Sequence, residues 1–157
     1  LEKFINPEKK YWQERYYNKL FNNNNIGGIC RNYLEMLEWN LKYYMSGCYD
    51  WNKYYHYTNA PLFNDVINYI PGFNEELIKF NNSSAIHEYT QLAYVLPKSS
   101  MYLLPPNIKN EVIIKYPFFY EENYDIQWAF CKYFWEAHVI FPDLNLTELN
   151  NNICKII

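Results

Sequence analysis

The sequence predicts a mainly α fold, an irregular helical domain with long aromatic-rich loops and at most one or two short strands. Three observations predict it. Glycine is scarce, with Gly 4 in 157 residues, too few for the tight turns of an all-β protein. From about Ile29 to Ser46, Cys30, Tyr33, Leu34, Leu37, Leu41, Tyr44 and Met45 recur at helical spacing, the pattern of an amphipathic helix packing one face into a core. Prolines at Pro61, Pro71, Pro97, Pro105 and Pro106 cut the remainder into short segments.

In order, Pro7 suits the first turn of a helix running to about Leu20. Asn22–Gly28 reads as a polar linker, since Asn and Gly tolerate left-handed backbone. Gly47 suits the C-cap of the long helix. Asn59 as N-cap and Pro61 in the first turn open a short helix with Leu62, Phe63, Val66 and Ile70, stopped by Pro71–Gly72. A single turn is placed at Glu75–Phe80. A helix from about Ala85 to Val95 presents Ile86, Tyr89 and Ala93 and ends before Pro97. One more turn is expected at Ser99–Leu104. Val112–Phe119, β-branched and aromatic, is the one credible strand, extended rather than central because of its proline. Trp128–Phe141 is apolar nearly all round, which predicts burial. Asn145 with Glu148 is a capping-box-like start to a last helix bearing Leu146, Leu149 and Ile153.

Length predicts one domain over residues 1–157 with a sizeable core. Hydrophobic residues are 50% and aromatics 21%, unlike a disordered chain. Net charge is -3, whereas a free-standing nucleic-acid binder shows a basic excess for phosphate neutralisation. Cys30, Cys48, Cys131 and Cys154 are widely spaced with no C-x-x-C and read as reduced, mostly buried thiols of an intracellular protein. His56, His87 and His138 stand apart from them, so no zinc site is expected. No apolar run is long enough to span a membrane.

Catalytic chemistry is missing from the pattern. A Mg²⁺ centre needs converging carboxylates, but Glu35, Glu38, Asp50, Asp65, Glu121, Glu122, Asp125 and Glu136 are scattered. There is no G-x-S-x-G, no H-E-x-x-H and no phosphate-cradling glycine loop. Cys48 has no base beside it in sequence and reads as a small buried thiol. Gly47–Leu62, GCYDWNKYYHYTNAPL, is the most unusual stretch. A loop so rich in rings is either plugged into a core or shaped as a stacking surface.

The motif series points toward the first. KYWQERYYNKLF, ICRNYLEMLEWNLKYYMSGC and W-x-x-YY-x-Y-x-x-APL at Trp51–Leu62 are followed by YTQLAYVLPKSSMYLLP and WEAHVIFPDLNLTEL. In this order they resemble the second conserved region of the Xrn family of 5′→3′ exoribonucleases, over nearly the whole chain. His56, Thr58, Met101, Tyr102 and Asn145 depart from that pattern. The resemblance implies a helical region, inactive alone, that packs on an upstream nuclease region. Together they wall a pocket for single-stranded 5′-monophosphorylated RNA. It places the catalytic carboxylates, their Mg²⁺ and the 5′-phosphate pocket upstream, so no catalytic or metal-binding residue is expected here. The first residue, Leu1, is in keeping with a piece of a longer chain. The resemblance also implies a tryptophan stacking on a nucleotide, assigned by position to Trp135 with Trp51 the alternative. Gly47–Leu62 is then a structural knot, with Trp51 still a candidate for part of the pocket wall. The competing reading is a non-catalytic scaffold or protein-interaction domain that keeps the fold without nuclease activity. Both branches of the family share these motifs, so a cytoplasmic or nuclear location is left open.

Overall fold

A computed structural model of the chain describes residues 1–21, 25–121, 123–128 and 130–157. Part of the expected Asn22–Gly28 linker, and Glu122 of the acidic pair, therefore lie outside the described residues. Helices dominate: α1 (Glu2–Ile5), α2 (Trp12–Leu20), α3 (Ile26–Ser46), α4 (Phe63–Ile67), α5 (Glu88–Val95), α6 (Pro106–Lys115) and α7 (Leu146–Cys154). Short 3-10 helices occupy Lys98–Leu103, Pro117–Tyr120 and Phe134–Glu136. The sheet is one antiparallel pair, β1 (Asp125–Gln127) and β2 (His138–Ile140), in the register Asp125–Ile140, Ile126–Val139, Gln127–His138. The fold is mainly α, as the sequence predicts.

The chain divides into two compact units, Leu1–Ser84 and Ala85–Ile157. In the first, Tyr17, Phe21 and Ile29 form a small core with Tyr16, Leu20, Ile26, Tyr57 and Leu62 packed around it. The helix expected from Pro7 to Leu20 forms only from Trp12, ending at Leu20 as expected. Asn6 and Tyr11 take left-handed backbone at φ 41 and φ 62, and residues between them make a turn before α2. The reason lies with Arg15, whose guanidinium donates to the carbonyls of Phe4, Ile5, Asn6, Lys9 and Lys10 at 2.8–3.4 Å. An always-charged fork satisfies in one place the carbonyls that a helix would have used.

Helix α3 starts three residues earlier than expected. Asn25 is its N-cap, its side chain accepting from the Gly28 N–H at 3.0 Å, so Gly27 and Gly28 belong to the first turn. Both are crowded positions. A Cβ on Gly28 would lie 2.8 Å from the Asn25 amide, and one on Gly27 3.0 Å from the Tyr69 ring. At the other end Gly47, φ 93, caps the helix as expected and returns its N–H to Tyr43.

The apolar stripe of α3 is only partly a core. Cys30 is buried, but Leu37, Leu41, Tyr44 and Met45 are exposed, Tyr44 at 85%. Their helix turns are held by polar contacts instead. Lys42 bridges Glu38 at 2.8 Å and Glu76 at 3.4 Å and donates to the Ile78 carbonyl, while Glu38 accepts from the Leu77 and Ile78 N–H groups. Segment 75–78 is thereby strapped to α3 by charge, without the helical turn expected there, and the apolar stripe is left uncovered. The next helix also shifts. Leu62, not Asn59, is the N-cap of α4, and the Asn59 carbonyl accepts from the Tyr55 hydroxyl instead.

The second unit has the larger core: Ala93, Met101, Leu104, Ile108, Val112, Tyr116, Phe119, Tyr120, Leu149 and Ile153. The predicted strand Val112–Phe119 is helical through Lys115. Pro106 at the first helical position starts α6, and Ile108, Val112 and Tyr116 then recur every fourth residue into the core. Burial of that face overrides the β preference of Val112, Ile113 and Ile114. Helix α5 begins at Glu88, three residues later than expected, capped by the His87 ring nitrogen accepting from Tyr89. The turn near Ser99–Leu104 forms as the 3-10 helix, and α7 forms with Asn145 accepting from the Glu148 N–H at 3.0 Å. Glu148 completes no reciprocal box, because its carboxylate takes the Tyr116 hydroxyl. Asn150 ties α7 to α5 by accepting from the His87 N–H and the buried Thr90 hydroxyl.

Candidate nucleic-acid interface

The two predicted stacking residues sit in separate units and in different settings. Trp51 follows Asp50, whose carboxylate organises its loop. The Asn52 N–H, the Ser83 hydroxyl and the Asn81 amide all donate to Asp50, at 2.9, 2.7 and 3.1 Å. These donors hold the Asp50 carboxyl below the usual carboxylate range. Ser83 in turn accepts the Trp51 N–H at 2.7 Å, and Trp39 donates its indole N–H to the Asp50 carbonyl at 2.9 Å. The backbone at Trp51 is fixed while its ring is 53% exposed.

Among the other rings of Gly47–Leu62, Tyr55 and Tyr57 turn inward, whereas Tyr54 and His56 are exposed. Tyr57 packs on Phe21 with centroids 5.4 Å apart, and Tyr55 lies 5.7 Å from Tyr33 and 5.5 Å from Tyr57. Buried Asn32 of α3 accepts from the His56 N–H at 3.0 Å, Tyr16 donates to the Ala60 carbonyl, and the Tyr17 hydroxyl joins the Leu62 N–H to Asp65. Burial, followed by the Asp65 hydrogen bond, pushes the Tyr17 phenol far up. Tyr55, Tyr57 and the anchored backbone of the stretch pack inward, while Trp51, Tyr54 and His56 face solvent.

Trp135 stands on the loop between β1 and β2. It is 77% exposed and stacked on Tyr133, centroids 4.5 Å apart and planes 7° from parallel. Trp128, Phe130, Phe134, Val139, Ile140 and Phe141 are exposed as well, which overturns the predicted burial of Trp128–Phe141. An all-round apolar run has too many rings for a two-stranded ribbon to cover. The rings pair with one another instead, Trp128 with Phe134 and Tyr133 with Trp135. Both predicted stacking residues are therefore solvent-facing rather than core.

Catalytic groups do not assemble. Among the described residues no three His, Cys, Asp or Glu side chains come together as a metal site. The best-held carboxylates are already engaged: Asp50 by its three donors, Glu38 by Lys42, and Glu136 by the Lys132 and Tyr133 N–H groups. Among the described residues these carboxylates do not converge on a Mg²⁺ site. All four cysteines are thiols, but only Cys30 is buried, while Cys48 and Cys131 are half-buried and Cys154 is exposed. Burial pushes the Cys30 thiol up, away from nucleophile chemistry. Among the described residues no helix is long and apolar enough to cross a membrane.

The family profile described as the Xrn1 helical domain matches residues 7–156. The chain belongs to the Xrn1 helical domain family. It is 30% identical over 156 residues to 5′-3′ exoribonuclease 1 of Schizosaccharomyces pombe, covering 94% of this chain and 11% of that protein. It is 31% identical to 5′-3′ exoribonuclease 2 of Debaryomyces hansenii, covering 88% and 15%, and 29% identical to 5′-3′ exoribonuclease 2 of Saccharomyces cerevisiae, covering 94% and 15%. The chain thus spans only 11–15% of the length of these relatives. In this Xrn1 helical domain the two tryptophans singled out from the sequence, Trp51 and Trp135, are exposed, as is Trp128; the polar groups that hold their loops were missed. Asp50, directly before Trp51, and the Y-x-W-E run at Tyr133–Glu136 were the available signals.

Proposed function

We propose that this Xrn1 helical domain is the accessory region of a 5′→3′ exoribonuclease, inactive alone. Residues 1–157 act together as one helical region, packing on a nuclease region upstream and helping to form a pocket for single-stranded 5′-monophosphorylated RNA. The observation that carries the reading is Trp135, a large ring held in the open where a core residue would be hidden. Stacking on an aromatic ring contributes about 1–3 kcal/mol per base and tolerates any sequence. Trp51, half-exposed on a fixed loop, is the alternative stacking residue. The uncovered Leu37, Leu41, Tyr44 and Met45 stripe supports the packing role, because contiguous apolar surface marks an interaction site. Mg²⁺ and the phosphate pocket belong to the upstream region, in an intracellular enzyme.

The test is degradation of 5′-monophosphate and 5′-triphosphate RNA by the full-length protein that carries this segment. Selective decay of the monophosphate, with none by residues 1–157 alone, is the expected result. Equal rates on both ends overturn the pocket. No decay of either, from a soluble full-length protein, leaves the scaffold.

A further inference from the structure

We propose that Tyr133 and Glu136 are positioning residues that hold Trp135 with one ring face blocked and the other presented to a single nucleobase. The inference rests on the stacking reading above and adds the device that makes an exposed tryptophan usable.

An indole standing alone in water moves among rotamers, and immobilising it on binding costs free energy. Trp135 is not alone. Tyr133 lies parallel to it at 4.5 Å, so one face of the indole is occupied, and the 77% exposure leaves the opposite face open. The loop beneath is closed by polar contacts rather than by burial. The Glu136 carboxylate accepts the Lys132 N–H at 2.6 Å and the Tyr133 N–H at 2.9 Å. The Glu136 N–H returns to the Tyr133 carbonyl at 3.1 Å, the Ala137 N–H to the Phe134 carbonyl at 3.1 Å, and the Cys131 thiol to the Glu136 carbonyl at 3.3 Å. Glu136 therefore ties the backbone of Tyr133 to its own, the two residues that immediately flank Phe134 and Trp135. Removing that carboxylate frees the loop that sets the angle between the two rings.

Charge selects the occupant. The Lys132 ammonium lies 5.2 Å from the centre of the Tyr133 ring, while Oε2 of the neighbouring Glu136 is turned to the Lys132 and Tyr133 backbone N–H groups. A nucleotide stacked on Trp135 brings its phosphate beside a cation. An arginine guanidinium, the other flat group that stacks on indole, meets like charge there. One covered face also means one base at a time, since no second base can sandwich the ring.

The test uses the full-length protein and 5′-monophosphorylated RNA carrying 2-aminopurine near its 5′ end, whose fluorescence falls on stacking. Trp135→Ala is expected to abolish the quench and lower kcat/KM about 5- to 100-fold, the range of one lost stack. Tyr133→Leu and Glu136→Ala are expected to lose most of the quench and part of the rate with little change in Tm. Tyr133→Phe, which keeps the ring, and Glu136→Gln, which keeps an acceptor oxygen, are expected to restore both. Tyr133→Leu added to Trp135→Ala is expected to cost nothing further. A silent Tyr133→Leu and Glu136→Ala beside a damaging Trp135→Ala would overturn the positioning role and leave the stacking reading standing. A silent Trp135→Ala in an active enzyme overturns both. A fall in Tm matching the fall in rate, unrescued by the conservative variants, would show a purely structural loop and also overturn the inference.

Discussion

Gly47–Leu62 and Trp128–Phe141 are the two ring-rich stretches of the chain, and they resolve the same problem in opposite ways. In the first, backbone groups find side-chain partners on α2 and α3: the Ala60 carbonyl takes the Tyr16 hydroxyl, and the Leu62 and His56 N–H groups donate to Tyr17 and Asn32. The rings follow their anchors into the core beside Phe21. In the second, a two-stranded ribbon offers no facing helix, and the rings stack in pairs on the outside. A ring-rich stretch is drawn inward where its backbone is anchored to neighbouring helices and stays outside where it is not. Anchoring, rather than ring count, decides which stretch buries its rings.

The largest effect that tests this contrast is truncation of one ring from each stretch's surroundings. Phe21→Ala, in the core that receives Tyr57, is expected to lower unfolding free energy by about 3–5 kcal/mol. Phe134→Ala, 67% exposed, is expected to change it by no more than about 0.5 kcal/mol. Comparable losses in urea unfolding would erase the distinction. Next comes the anchor itself. Asn32→Leu leaves the His56 N–H without its acceptor and is expected to cost about 1–3 kcal/mol, with accelerated hydrogen exchange at His56 and neighbouring amides. A thermal melt unchanged by this substitution would mean that the rings alone hold the knot. Arg15→Lys keeps the charge but loses the fork that gathers the carbonyls of residues 4–10. About 1–2 kcal/mol is expected, read most directly as faster proteolysis between Ile5 and Tyr11.

The polar strap on α3 has a pH dependence of definite sign. Burial by itself raises the Glu38 carboxyl, but the Lys42 ammonium and the Leu77 and Ile78 N–H groups outweigh it and hold Glu38 below its ordinary value. A depressed carboxyl stabilises the fold above its unfolded value, about 4.3, and that contribution fades as pH falls through the folded value. Lys42 is raised, first by its hydrogen bond to Glu38, so its contribution is full below about 10.4 and is lost only as pH rises through its higher folded value. Melting temperature is therefore expected to fall below about pH 4, less steeply in Glu38→Gln, which has lost the stabilisation already. An acid limb as steep in the variant as in the parent would place the acid sensitivity elsewhere, with Asp50, also held low by its donors, the next group to test. The smallest effect is on the uncovered face of α3. Leu41→Glu, at a position 60% exposed, is expected to leave the stability of residues 1–157 within about 0.5 kcal/mol. In the full-length enzyme it is expected to lower yield or melting temperature, if the stripe is packed there.

Local rules were legible in the sequence wherever a single residue type does the work. Gly47 capped α3, Asn145 capped α7, and Pro97 closed α5, because left-handed backbone, an orphan N–H and a missing N–H are local problems. The family membership was legible too, since motif order survives where geometry is hidden. Burial was not. Trp128–Phe141 reads as core and is exposed, Leu37 to Met45 reads as a core stripe and is bare, and Val112–Ile114 reads as strand and is helix.

By itself, then, the sequence determined the helical class, the caps and the Xrn1 helical domain family. The tertiary structure alone decided which apolar faces found a partner within these 157 residues. Hydrophobicity has magnitude but no direction, so a pattern states how much surface seeks cover and not where cover will be found. For Tyr57 that cover is Phe21. For Trp135 it is the Tyr133 ring, stacked on one face, while the side chain remains 77% exposed.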